Sequence, residues 1–325
     1  MKWEKLGKIF DPIQHKLPNN CKEFAQSPQT IVFDDFVRIY FSTRTIDPQN
    51  GKFFSHIAFA DIDKGFKKVL RISDKPVIEL GELGNFDEHG IFPINPLRYK
   101  NKIFAYTCGW SRRVSVSVET STGLAESFDN GETFQKKGIG PVFSSSLYEP
   151  FLVGDSFVQV FHDVFHMWYI YGLRWIEDKA EGPARVYKIA HATSTDGINW
   201  QRDGKLIISD LLNDDECQAL PSVAFYNGRY HMVFCYRYAT GFRTDPERGY
   251  RLGYAYSDDL GNWIRKDGEL GITAELDEWD GKMMCYPHFF ICNDKLHLLY
   301  NGNAFGRYGF GLAVLEEEKA AQVNE

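Results

Sequence analysis

Five times along the chain, an apolar run, a short polar turn and a second, aromatic-rich apolar run follow one another. The copies read SPQTIVFDDFVRIYFSTR, FPINPLRYKNKIFAYTCGW, DSFVQVFHDVFHMWYIYG, LPSVAFYNGRYHMVFCYR and YPHFFICNDKLHLLYNG. Short apolar runs around Asp, Asn or Gly turns read as β-hairpins. With the second runs aligned, Pro28, Pro93, Ser156, Pro221 and Pro287 fall in register, at steps of 65, 63, 65 and 66 residues. Behind each hairpin comes an alternating segment rich in small residues: HIAFAD, STGLAES, YKIAHATS, YRLGYAYS and FGLAVLE. Three copies add a polar turn and an aromatic residue that opens a fourth run, in SFDNGETF, STDGINW and SDDLGNW. Asp and Gly suit such tight turns, which read as structural.

Four strands per repeat is the content of a propeller blade. The pattern therefore predicts an all-β, five-bladed β-propeller of four-stranded antiparallel blades, as one domain over residues 1–325. The blades are expected at about 20–75, 85–143, 147–208, 214–270 and 281–316, the last completed by 1–10. The opening MKWEKLGKIF resembles the fourth-run segments NWQRDGKLII and NWIRKDGELG, whereas the fifth copy ends after its third run. Trp3–Phe10 is thus expected to close the last blade as its outermost strand, removing an open edge. The tail EEEKAAQVNE is expected to fray or form a short helix.

Composition narrows the function classes. The chain is 43% hydrophobic and 15% aromatic, as a packed globular protein would be, and its net charge is −7. That charge argues against nucleic acid or an anionic membrane as a partner. No apolar run approaches the roughly 20 residues that span a bilayer, and the N-terminal segment has no signal-peptide pattern. Six scattered cysteines without a C-x-x-C pair suggest neither a metal site nor a redox motif. The expectation is a cytoplasmic protein with no metal and no cofactor; oligomeric state is not legible.

Blade topology sorts residues by face, because the innermost strand leaves one end of the channel and the second strand returns to it. Five residues ahead of the register positions stand Glu23, Glu88, Phe151, Glu216 and Lys282, with Glu149 and Asp155 flanking the third slot. Glutamates at three equivalent positions are candidate catalytic acids. After the second strands stand Arg44, Arg113, Arg174, Arg237 and Arg307, with Arg112 beside Arg113. These arginines either neutralise the acids or grip a carboxylate or phosphate bidentately. Trp110 and Trp175 are candidate sugar-stacking walls; His89, His288 and Asn303 are candidate substrate hydrogen-bonding groups.

The hairpins and S-x-D-G-x-x-W turns resemble the five-bladed β-propeller glycoside hydrolases of families 43, 32 and 68, and the related family 130. In families 43 and 32 the resemblance implies three acids: Asp-Pro on blade I, Asp-Pro on blade III and a Glu opening blade IV. Glu216-Cys217 looks like the Glu-Cys of family 32, and Asp155-Ser156 occupies the blade III slot. Ser27-Pro28 stands where blade I would carry its aspartate, so Glu23 is the substitute candidate. Glycosidic cleavage needs one protonated carboxyl and one carboxylate, and crowded acids supply such a pair. The expected assignment is Glu216 as acid, Glu23 or Glu88 as base, and Asp155 or Glu149 as orienting group. The expected activity is a glycosidase acting on a small oligosaccharide or glycoconjugate, neutral, anionic or phosphorylated. Family 130 implies an alternative, a phosphorylase or glycosyl-transferring enzyme. A sugar-binding propeller without catalysis is the third.

Overall fold

The structure is a computed structural model that describes residues 1–178, 181–275 and 278–316. The tail expected to fray or turn helical lies, beyond Glu316, outside the described residues. The protein is all-β. In chain order its strands are β1 (Trp3–Phe10), β2 (Glu23–Val32), β3 (Phe36–Ile46), β4 (Phe53–Asp63), β5 (Val69–Ile72), β6 (Gly90–Tyr99) and β7 (Lys102–Arg112). There follow β8 (Val118–Ser127), β9 (Gln135–Lys136), β10 (Val153–Phe161), β11 (Val164–Ile176), β12 (Ala184–Ser194), β13 (Gln201–Leu206) and β14 (Glu216–Tyr226). The last are β15 (Arg229–Tyr238), β16 (Arg251–Ser257), β17 (Ile264–Arg265), β18 (Cys285–Cys292), β19 (Lys295–Asn301) and β20 (Phe310–Leu315).

These strands form four-stranded antiparallel sheets, β10 to β13 and β14 to β17, and the order β1-β20-β19-β18 for the last. A larger sheet holds β2 to β5 and β6 to β9, each run antiparallel, joined by a single parallel pairing of Ser55 with Gly90. The inner strands form a closed cycle: β2 packs on β6, β6 on β10, β10 on β14, β14 on β18, and β18 on β2.

Turn chemistry holds neighbouring sheets in place. Ser194 Oγ accepts the Gly197 N–H at 2.9 Å, and the Asp196 carboxylate accepts the Ile198 and Asn199 N–H groups at 2.8 Å. The buried Tyr106 hydroxyl, from the preceding sheet, donates to Gly197 O at 2.9 Å. Tyr40 does the same to Gly131 O at 2.7 Å. Both turn glycines have positive φ, a conformation that costs glycine little. The Ser-x-Asp turn is therefore a rivet between neighbouring four-strand runs.

The ends of the chain meet as expected. Strand β1 pairs antiparallel with β20 from Trp3↔Leu315 to Phe10↔Phe310. Trp3 Nε1 donates to Leu270 O at 2.6 Å, and Lys5 pairs with the fully buried Asp280 at 2.7 Å. Phe10 packs on Phe41 and Phe310, tying the last sheet to the first. Asn301 completes the seam: its Oδ1 accepts Ser27 N–H at 2.8 Å, and its Nδ2 donates to Ala25 O and Gly309 O. Deleting residues 1–10 would open the β20 edge and leave Asp280 without its lysine. We expect such a chain to aggregate, read by light scattering against the full-length protein; a monodisperse, cooperatively unfolding deletion would contradict this role for β1.

Candidate active site

The site begins with a defect repeated around the ring. Each inner strand slips its register against its partner at the same place: between Gln26 and Gln29, Ile91 and Ile94, Gly154 and Phe157, Ala219 and Ser222, and Cys285 and His288. Such bulges bend a strand and re-aim one side chain. Ser27, Asp155, Leu220 and Tyr286, each directly before its register residue, have φ of 53°, 49°, 51° and 54°. Holding a non-glycine residue there costs about 1–3 kcal/mol, a strain that gathers at functional sites.

At these bulges opens a cavity of about 1080 Å³. Gln26, Phe92, Asp155, Ala219 and Tyr286, one residue from each inner strand, lie in its wall. Trp110, Phe53, Phe24, Tyr187, Tyr250, Phe242 and Phe305 supply aromatic surface. Among the described residues, eight cationic side chains line it (Arg44, Lys52, Arg112, Arg113, Arg185, Arg237, Arg243 and Arg307) against two carboxylates, Asp155 and Glu181. A chain of net charge −7 thus encloses a cationic hole.

Asp155 is the one carboxylate at the bulges. Burial pushes its carboxyl up to about 7, and the opposing pull of Arg185 and a hydrogen bond from the Leu220 N–H does not cancel that. A carboxyl poised near neutrality can hold a proton and deliver it. Cys108, buried beside it, has its own thiol pushed upward by burial and by the Asp155 charge, so it is an unreactive wall.

The other acids expected in the site are elsewhere. Glu216 is fully buried and does not line the cavity. Its Oε2 accepts the Leu211 and Leu212 N–H groups at 2.8 and 2.9 Å, and its Oε1 accepts from Gln218 at 3.0 Å and Arg265 at 2.6 Å. Burial alone would raise its pKa, but those bonds, first from Gln218 and then from Leu211 and Arg265, hold it below the usual range. The structure thus places this candidate acid in a buried hydrogen-bond network outside the cavity. The reason is strand parity: Ala219 faces the cavity, so Glu216 and Gln218 face away. Glu149 is likewise buried outside the cavity, taking the Tyr169 hydroxyl at 2.6 Å and pairing with Arg202 at 2.7 Å. Glu88 accepts the Gly84 N–H at 2.7 Å and contacts His89 at 3.1 Å, outside the lining. Glu23 stands behind the rim, held by Arg307 at 2.8 Å.

Of the expected binding residues, Arg44, Trp110, Arg113, Arg237 and Arg307 line the cavity. His89 stacks behind Trp110 at 5.9 Å, its pKa lowered by burial and by Arg112. Arg174 turns outward to Asp215 at 2.7 Å, and Trp175 packs against the apolar core. Asn303 caps the Lys282 N–H at 2.8 Å. His288 lies elsewhere: it is buried against Thr30 and Ser222 and lines a separate cavity of about 290 Å³. Burial lowers its pKa to about 3, so it stays neutral. Residues that the repeat did not point to are Arg185 and Tyr187 on β12, and Phe242, Arg243 and Tyr250 in the β15–β16 connection. An arginine opening a third strand, in the segment ARVYKIAHATS, was the available signal for the first.

Four cavity arginines, Arg44, Arg112, Arg185 and Arg237, form no ion pair with a described carboxylate, whereas Arg113, Arg243 and Arg307 pair with Glu119, Glu181 and Glu23. Arg44 rests on Phe24 and Phe53, and its buried Nε has no hydrogen-bond partner. Its pKa is lowered by burial and, more weakly, by Arg243. Among the described residues no group of three or more His, Cys, Asp or Glu could hold a metal ion.

This combination of four-stranded sheets and a cavity at the inner strands is a fold shared with solved glycoside hydrolases and a phosphorylase. A glycoside hydrolase superposes with a TM-score of 0.72 over 99% of this chain and 95% of that one, at 15% identity. The β-1,2-mannobiose phosphorylase from Listeria innocua, solved with β-1,2-mannobiose, gives 0.69 over 97% of both chains at 12% identity. A thermostable family-43 glycoside hydrolase gives 0.62 over 92% of both at 14% identity. At such identities the likeness is one of fold. No family model matches the chain. In sequence it is 32% identical over 316 residues to the uncharacterized protein Rv1502 of Mycobacterium tuberculosis strain H37Rv, covering 97% of this chain and all of that one. The uncharacterized protein MT1551 of strain CDC 1551 matches to the same extent. The chain belongs to the family of these mycobacterial proteins.

Proposed function

We propose that this chain is a single five-bladed propeller and a carbohydrate-active enzyme that breaks a glycosidic bond, with Asp155 as the general acid. The observation that carries the reading is the placement of the Asp155 carboxyl at the strained bulge of an aromatic-lined cavity, where burial pushes it up to about 7. Asp155 would give its proton to the leaving glycosidic oxygen as the bond from that oxygen to C1 breaks. Sugar rings would stack on Trp110 and the neighbouring phenylalanines.

The lining favours phosphorolysis or glycosyl transfer over hydrolysis. An inverting hydrolase needs a second carboxylate to deprotonate water, and a retaining one needs it as nucleophile. Beside Asp155 the described lining offers only Glu181, which pairs with Arg243 at 3.3 Å. A phosphate dianion attacks C1 without a base, forming the C1–O bond of a sugar phosphate, and arginines suit it. The discriminating experiment is a screen of oligosaccharides and aryl glycosides with and without inorganic phosphate. Turnover that requires phosphate and disappears in Asp155→Asn supports the reading. Phosphate-independent hydrolysis that survives the substitution contradicts it.

A further inference from the structure

The excess of positive charge in the cavity is larger than one attacking anion can neutralise. Arg44, Arg112, Arg185 and Arg237 are the four lining arginines with no described carboxylate within ion-pair distance, Arg185 acting on Asp155 only from further away. A single phosphate dianion offsets two positive charges and leaves two. Arg237 is the extreme case, because it is only 3% exposed. Buried guanidinium groups are almost always paired, since removing a cation from water without a counter-charge is costly. Arg237 instead is locked by neutral groups: Nη1 donates to Tyr238 O at 2.7 Å and Ala239 O at 3.2 Å, and Nη2 donates to the Tyr187 hydroxyl at 2.9 Å. Phe242 closes one face, with its ring centre 3.5 Å from the guanidinium carbon. Tyr250 is a further side-chain hydrogen-bond partner, and Nε is buried with no partner. Such a rigid, desolvated cation with a donor to spare is built for an anion.

The position of Arg237 narrows the chemistry. It lines the main cavity together with Arg185, and both also line an adjoining niche of about 370 Å³. Arg44 and Arg112 both belong to the larger sheet, on β3 and β7, and supply a second pair of charges.

We infer that the sugar substrate itself carries a phosphate-type dianion, seated on Arg237 and Arg185, separate from any phosphate that attacks C1. The inference rests on the glycosidic reading of the same cavity and names its substrate class: a phosphorylated glycoside. Arg44 and Arg112 then hold the charge that remains for the attacking anion.

The test compares monosaccharide 1- and 6-phosphates with their parent sugars by calorimetry on the full chain, each with and without saturating inorganic phosphate. At least one ester is expected to bind at least about tenfold more tightly than its parent sugar, and to keep that preference when inorganic phosphate is saturating. Arg237→Gln should remove the preference for the ester over its parent sugar. Should that variant fail to fold, Arg185→Gln and the competition on the unaltered protein carry the test. Equal binding of ester and parent sugar overturns the inference. So does a preference that vanishes under saturating phosphate, because the two would then share one anion site. Asp155→Asn separates this outcome from the glycosidic reading: it should retain ester binding while losing turnover. Retained turnover in that variant would remove the acid assignment and leave the binding result standing.

Discussion

Asp155→Asn is expected to lower kcat by about 10²–10⁴-fold, the range a general acid contributes, and to make the protein more stable at neutral pH. The two effects share one cause. Burial raises the carboxyl to about 7 in the folded state, against about 3.9 in the unfolded chain. Below the unfolded value both states hold the proton, and the carboxyl carries no ionisation penalty. As pH rises toward the folded value, the unfolded chain releases its proton first, so stability falls across that window and levels off above it. The shift of about three units sets a ceiling of about 4 kcal/mol on what this carboxyl takes from stability above pH 7. Asparagine does not titrate, so its advantage in urea unfolding should grow from about pH 4 to pH 7 and then stay constant. In the unaltered enzyme the active form of Asp155 is protonated, so kcat/KM should fall about tenfold per unit above pH 7. Equal stability of the two proteins across that range would mean that Asp155 is an ordinary ionised carboxylate.

Glu216 should behave in the opposite way. Glu216→Ala leaves Arg265 buried with Asp267 as its remaining carboxylate, at 3.0 Å, and strips the acceptor from the Leu211 and Leu212 N–H groups. Breaking such a buried pair costs about 3–5 kcal/mol, a large share of a typical domain's stability. Folded protein at low temperature should still turn over substrate within about twofold of the unaltered enzyme, because Glu216 lies outside the cavity. Its folded pKa is depressed, so its contribution is present above the unfolded value near 4.3 and is lost as pH falls through the folded one. A variant of unchanged stability and abolished turnover would restore Glu216 as a catalytic acid.

The sheets were legible because their signals are local. Alternation, the turn at Asn227-Gly228 and the Ser-x-Asp rivets each act over a few residues, and the steps between Pro28, Pro93, Ser156, Pro221 and Pro287 repeat them. The cavity wall was not, because it depends on parity across a bulge. Five residues before the register the sequence offers Glu23, Glu88 and Glu216; one residue before it, Asp155 is the only acid. The inner strands already run through Glu23 and Glu216, so the pleat decides where those side chains go. No local pattern announces that decision. The arginines behaved similarly: Arg44, Arg113, Arg237 and Arg307 could be placed from the ends of second strands, whereas Arg243 arrives through a long connection whose path only tertiary packing defines.

Whether Asp155 protonates the leaving oxygen in the arginine-lined cavity is decided by a crystal structure of the Asp155→Asn protein with a bound glycoside. The residue 155 amide is expected within about 3.2 Å of the glycosidic oxygen, with an anionic group of the ligand on Arg237. A glycosidic oxygen that instead meets Glu23 or another carboxylate, with residue 155 out of reach, would contradict this role for Asp155.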